Sequence, residues 1–279
     1  MVSPLPTRSY VALAALVTLT ACAGTRDAPD PAAAMPTVPA PPPPTESGWI
    51  SLFNGVDLTG WTPKFTGSPL GENLRDTFRV VDGELRVSYD AWDGFAGEFG
   101  HLVHDVPYDH YRLRLEVRFL GEQVAGGPGW AWRNSGVMVH GQDPATMTVD
   151  QEFPASIEVQ LLGGAAEGRR STGNLCTPGT HVEMRGEVVE RHCTSSSSDT
   201  YRGDDWVAVE VEVRGNELIR HLVEGREVLR YGQPRLDPGD ADARRLLDAG
   251  APGDLDGGWI SLQAESHPCA FRRIELMPL

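Results

Sequence analysis

Ile157-Glu158-Val159-Gln160-Leu161 is the stretch on which the fold turns. Side chains alternate sides along a β-strand, so Ile157, Val159 and Leu161 face a core while Glu158 and Gln160 point the other way. Asn134-Ser135-Gly136-Val137-Met138-Val139-His140, just upstream, has the same pattern. Val137 and Val139 join the core, and Met138 and His140 fall on the side of Glu158 if the two strands share a sheet. A strand that is apolar on one face and carries a carboxylate and an amide on the other suggests a sheet with a wet, working surface. The plainer alternative is a sandwich strand whose polar residues are simply solvated.

The alternation continues in both directions. Tyr111, Leu113, Leu115, Val117 and Phe119 interleave with Arg112, Arg114, Glu116 and Arg118, and Val207, Val209, Val211 and Val213 with Ala208, Glu210 and Glu212. Two runs, 77–81 and 84–88, flank Asp82-Gly83, a pair that supplies the positive φ angles of a tight hairpin turn. Residues 218–223 and 227–231 flank Glu224-Gly225 in the same way. Shorter strands fit 49–53, 58–61, 100–103, 259–263 and 271–277, and only 242–249 reads as helix. About a dozen short strands separated by turn residues mean an all-β sandwich or barrel. Residues 48–279 are long enough for one such domain.

The chain has 279 residues and a formal charge of −15. That charge opposes nucleic-acid binding and docking on anionic lipid, and it is compatible with a neutral ligand such as a sugar. At the N-terminus, Arg8 precedes an apolar run at 10–20 (YVALAALVTLT), too short to span a bilayer as a stable helix. It ends in Leu19-Thr20-Ala21-Cys22, which resembles a bacterial lipoprotein signal. The resemblance implies removal of residues 1–21, lipidation of Cys22, and a membrane partner through that anchor. Ala23 at the next position implies the outer membrane of a bacterial cell envelope. The alternative is an ordinary export signal. Residues 22–47, ending in Pro41-Pro42-Pro43-Pro44, have nothing to bury and read as a disordered, partly polyproline tether.

Export permits disulfides, and Cys176 and Cys193 bracket one loop, which favours that pair; Cys269 is left as a small buried side chain, with pairings to it open. No CxxC or HxxxH spacing points to zinc. No cofactor is expected, and the residues leave a divalent metal open. The glycine-rich run 121–132 does not lead from a strand into a helix and lacks a Gly-Lys-Ser/Thr ending, so it is not a phosphate cradle. Glycoside hydrolysis usually needs two carboxylates. The same-face position two residues from Glu158 is Gln160, so Glu158 reads as a lone base. A lone carboxylate beside amides and an imidazole suits proton abstraction next to a carbonyl. The candidates are therefore Glu158 as base, with His140 as acid or metal ligand beside it. Gln160, Gln263 and Asn134 are candidate substrate contacts. Trp130 and Trp132 are candidates to stack on a sugar ring, whereas Trp61 and Trp206 read as core. His101, His104, His221 and His267 rank below His140, and Arg272 reads as the partner of an acid near the sheet edge.

Trp49-Ile50-Ser51-Leu52-Phe53-Asn54-Gly55-Val56-Asp57-Leu58-Thr59-Gly60-Trp61 is similar to the opening of the 3-keto-disaccharide hydrolase family. Further landmarks follow in family order: Val81-Asp82-Gly83-Glu84-Leu85, Asn134-Ser135-Gly136-Val137, Glu158-Val159-Gln160, Thr172-Gly173, Asp205-Trp206 and Ile260-Ser261-Leu262-Gln263 with Phe271-Arg272-Arg273-Ile274. They span residues 48–279. The resemblance implies a concanavalin-like jelly-roll sandwich of two antiparallel sheets. It also implies a keto-sugar substrate and a 1,2-elimination from 3-keto-glucosides, followed by hydration. Two departures stand out. Many relatives read Leu-Gln-Asp-His-Gly where this chain has Leu262-Gln263-Ala264-Glu265-Ser266-His267, which displaces the imidazole or marks a different branch of the family. Thr172-Gly173 also leads into a cysteine-bounded insertion. A tethered carbohydrate-binding module using the same face without chemistry is the second reading, and a structural envelope lipoprotein the third.

Overall fold

The structure is a computed structural model, and it describes residues 48–279. The expected leader, the lipidation site at Cys22 and the tether lie outside the described residues. The first strands are β1 (Ile50–Ser51), β2 (Trp61–Phe65), β3 (Phe78–Val81), β4 (Glu84–Val87), β5 (Gly100–His104) and β6 (His110–Phe119). The middle of the chain supplies β7 (Asn134–Gly141), β8 (Ile157–Leu162), β9 (Asn174–Cys176), β10 (Thr180–Met184), β11 (Glu187–Val189) and β12 (Cys193–Thr194). β13 (Val207–Arg214), β14 (Leu218–Val223), β15 (Arg226–Leu236), helix α1 (Ala241–Asp248), β16 (Trp259–Ala264) and β17 (Cys269–Pro278) complete it.

These strands form two antiparallel sheets. One runs β11-β10-β15-β14-β13-β6-β17-β4-β3, with β1 beside β17, and the other runs β12-β9-β8-β7-β16-β5-β2. Alternation decides which residues lie between them. Tyr111, Leu113, Leu115, Val117 and Phe119 from β6 meet Ile157, Val159 and Leu161 from β8 and Val137 and Val139 from β7 in one buried cluster. The expected hairpins form at Asp82 (φ 55°)-Gly83 (φ 77°) and Glu224 (φ 49°)-Gly225 (φ 73°), with both turn residues left-handed.

The outer face of the larger sheet is charged. Arg112 pairs with Glu210 and Arg114 with Glu275, while Glu116 takes both Arg272 and Arg273. Trp206 does not join the core. It lies half-buried between the guanidinium groups of Arg118 and Arg272, 4.5 and 4.2 Å from its ring centre. Its strand begins one residue later, so no alternation turns it inward. Trp61 is buried, with its indole N–H donating to Leu52 O at 2.8 Å.

Cys176 is bonded to Cys193, joining β9 to β12 at a sequence separation of 17, and Cys269 is free and buried. In the chain-entropy account, a loop of that length contributes about 3 kcal/mol by restricting the unfolded chain. Replacing Cys193 by Ser should therefore lower the urea midpoint by the equivalent of roughly 3 kcal/mol. An unchanged midpoint would show that the bond does not contribute to stability.

Candidate functional site

The site lies on the face of the smaller sheet opposite the core. Residues directly opposite one another in neighbouring strands share a face, and the register sets two rows across it. In one, Cys176, Glu158, Met138 and Ser261 are successive partners. In the other, Asn174 faces Gln160, which faces Gly136, and on the far side of β16 Gln263 faces His101, which faces Lys64.

Gly136 is the pivot. A Cβ there would come within 2.8 Å of Glu158 Oε1 and 3.1 Å of Gln263 Oε1. Only the missing side chain lets that carboxylate and that amide lie over the same strand. Asn174 fixes the outer end, donating from Nδ2 to Gln160 Oε1 at 3.1 Å. Its own Oδ1 accepts from Ser171 Oγ and from the Ser196 backbone N–H, at 2.8 and 2.9 Å.

Loops roof these rows. Trp130 stacks on Phe99 at 5.8 Å between ring centres, and Phe153 leans on Phe99 at 4.9 Å and on His101 at 5.7 Å. They enclose a cleft of about 410 Å³ whose lining includes Asn134, Glu158, Gln160, the Cys176–Cys193 bridge, Pro178, His192 and Glu265. Glu265 directly follows β16. Its position is held by Ser266, whose backbone N–H donates to Tyr89 Oη at 2.6 Å and whose Oγ accepts from Gln123 Nε2 at 2.8 Å.

The electrostatics follow from this enclosure. Burial disfavours the charged form and pushes the Glu158 carboxyl up from its ordinary 4.5 to about 8. Burial, and then the nearby charge of Glu158, hold Glu265 well above its ordinary range. Glu158 Oε1 and Glu265 Oε2 have no hydrogen-bond partner in the protein. Two such carboxyls do not both ionise near neutrality; one keeps a proton while the other is free to lose its own.

Of the residues expected at the site, Glu158, Gln160 and Asn134 line the cleft, and Gln263 lies beside Glu158 over Gly136. His140 does not join them. The pairing of β7 with β16 shifts between Trp259 and Ser261, and His140 sits at that irregularity with φ 50°. Alternation fails there, and the ring turns to Gly215 O at 3.1 Å. Trp132 also leaves the site, packing edge-on to His267 at 6.0 Å with Arg133 and Arg170 over its ring. Trp130, 55% exposed, is the tryptophan that lines the cleft.

Sequence reasoning missed Glu265, Asn174, Lys64 and the placement of His101. Glu265 corrects the expectation of a lone base, because the second carboxylate comes from the end of β16. Parity could have found His101, since Leu102 beside it faces the core. Among the described residues, the group with three converging soft metal donors is Cys176, His192 and Cys193, with ligand atoms within 4.8 Å. Two of those donors are spent in the disulfide.

A carboxyl raised on folding makes the folded protein bind more protons than the unfolded chain. Its penalty on stability is absent below about pH 4.5 and grows as pH rises through about 8. Glu158→Gln should thus raise Tm by roughly 5 °C at pH 8.5, with little change at pH 4. Equal shifts at both pH values in calorimetry would contradict this placement.

A family model for the 3-keto-alpha-glucoside-1,2-lyase-like domain matches residues 48–277. A Parabacteroides distasonis protein, provisionally described as a glycosyl hydrolase, superposes with a TM-score of 0.50 at 17% identity, covering 84% of this chain and 97% of its own. A Bacillus subtilis protein of unknown function with a galectin-like fold superposes at 0.48 with 10% identity, covering 79% and 90%. No match to this chain is found among curated proteins. With nearly the whole two-sheet domain covered, the chain belongs to the 3-keto-alpha-glucoside-1,2-lyase-like family.

Proposed function

We propose that the protein is a carbohydrate-active lyase that eliminates the aglycone from 3-keto-glucosides, with hydration of the product as a second half-reaction. The observation that carries this reading is the buried pair Glu158 and Glu265 in an aromatic-roofed cleft. Counted from Leu262-Gln263, Glu265 stands where the Leu-Gln-Asp-His-Gly pattern of relatives has histidine. A carboxyl that keeps its proton can supply the acid function there.

The step balances as follows. A C3 ketone acidifies the C2 proton, and Glu158 as carboxylate takes it. The C–H electron pair passes first onto the ketone as an enolate; it then returns to form the C1=C2 bond as the aglycone oxygen departs from C1, taking a proton from Glu265. The products are a 3-keto-2-hydroxyglucal and the free aglycone alcohol. Addition of water, OH to C1 and H to C2, then gives 3-keto-glucose. Gln160 and Asn134 are placed to hold sugar hydroxyls, and Gln263 to hold the ketone.

In D2O, the domain should exchange or eliminate at C2 of a 3-keto-glucoside, followed by NMR, with a rate that rises with pH through about 8 as Glu158 ionises. Glu158→Gln should lower that rate about 100-fold or more. Glu265→Gln should slow release of poor leaving groups while sparing a nitrophenolate, which needs no acid. Full activity of Glu158→Gln would refute the base, and no C2 chemistry in the unaltered protein would refute the lyase. Saturable binding of glycans without turnover would then favour the binding module.

The reading includes export and anchoring through Cys22, with residues 23–47 as spacer. Cys22→Ser should move the protein from the membrane fraction to the soluble fraction of an expressing bacterium. Retention in the membrane would count against lipidation there.

A further inference from the structure

We propose that His101 is a second hydrogen-bond donor to the ketone oxygen of the substrate, beside Gln263, so that the two together hold the enolate formed when C2 loses its proton. This rests on the elimination reading above and adds a residue that the family resemblance did not single out.

The placement comes from register. His101 on β5 is the direct partner of Gln263 on β16 and of Lys64 on β2, so all three share the face that carries Glu158. Gln263 and Glu158 both reach over Gly136. The order across the sheet is therefore base, amide, imidazole, ammonium. A ketone oxygen is one bond beyond C3, and C3 is bonded to C2. Glu158 of β8 reaches across β7 at Gly136, so a ketone oxygen beyond C3 falls over β16, the second strand from β8, where Gln263 stands with His101 of β5 beside it.

Polar satisfaction points the same way. His101 is 1% exposed and Gln263 is fully buried. Both ring nitrogens of His101 and both amide atoms of Gln263 lack a protein partner. Unpartnered groups this deep are uncommon, because they give up water and gain nothing in return. Two side by side, next to a buried carboxylate, describe a place prepared for a polar ligand atom.

Lys64 completes the arrangement without occupying it. Its ammonium donates to Phe65 O at 2.6 Å and to Val149 O at 2.9 Å, so it is held on backbone oxygens. Burial, with the charge of Lys64 beside it, pushes His101 down to about 3. The imidazole is therefore neutral throughout the working range. A neutral imidazole donates a hydrogen bond to a developing enolate without giving up its proton, so the charge stays on the oxygen and the bond strengthens in the transition state. Phe153 packs edge-on against the ring, 5.7 Å between ring centres.

Two measurements test this. In the otherwise unaltered chain, His101→Phe, which fills the space without a donor, should lower the C2 exchange rate of a 3-keto-glucoside about 100-fold. His101→Gln, which keeps a donor, should recover part of that loss. Binding of the parent glucoside, which carries a C3 hydroxyl in place of the ketone, should weaken less than binding of the keto sugar in both. In the non-reacting Glu158→Gln background, 3-keto-glucose labelled with 13C at C3 should show a downfield carbonyl shift on binding, and His101→Phe should remove much of it. An exchange rate kept by a folded His101→Phe would overturn the proposal, as would equal weakening of keto and parent sugars, or a carbonyl shift indifferent to His101. If the shift depends on His101 while the unaltered protein eliminates nothing, the ketone site stands and the lyase reading fails.

Discussion

Placing two carboxylates in one water-poor cleft is the constraint on which the rest of this structure depends. Glu158 and Glu265 come from different places in the chain, one mid-strand on β8 and one just past the end of β16. Each is desolvated, and Glu265 also feels the charge of Glu158. The fold accepts that penalty because the apolar halves of the same strands bury Ile157, Val159, Leu161, Ile260 and Leu262 on the other side. Strand alternation ties the two effects together: the residues that stabilise the sandwich fix the facing of the residues that destabilise it.

Local details keep the pair in place. Gly136 leaves the gap over which Glu158 and Gln263 meet, so a side chain there would collide with both. Tyr89 and Gln123 hold Ser266 and, through it, the turn that presents Glu265. The aromatic series from Phe99 to Trp130 and Phe153 forms one wall, of which Trp130 and Phe153 line the cleft. An enclosed site of this kind suits chemistry in which a proton must move between oxygen and carbon, because charge is poorly screened there. On a shallow, solvated face the same carboxylates would stay near their ordinary range.

The sequence made the scaffold legible wherever side-chain period and turn chemistry agreed. Asp82-Gly83 and Glu224-Gly225 mark their hairpins, and β6, β8 and β13 follow from alternation alone. The strands β9 to β12 did not show, because segments of two to five residues in a cysteine-bounded insertion carry too little periodicity to register. At the site, Glu158, Gln160 and Asn134 were readable by parity. Glu265 was not, since it lies in a turn where no period applies and its neighbour Glu158 is 107 positions away. His140 was misplaced for a related reason: one irregularity in β7 reverses the facing that parity assigns. His101 was readable in principle, being one residue from the core-facing Leu102, but nothing local separated it from seven other histidines.

Direct titration of the two carboxyl groups tests the central claim most closely. With 13C-labelled glutamate and the Glu158→Gln and Glu265→Gln variants for assignment, the side-chain carboxyl resonances can be followed from pH 4 to pH 10. The account predicts that Glu158 titrates near 8, that Glu265 titrates well above its ordinary 4.5, and that removing the Glu158 carboxylate lowers Glu265. If both titrate near 4.5 and neither responds to loss of its neighbour, the pair is not buried together and the acid–base reading of this cleft is wrong.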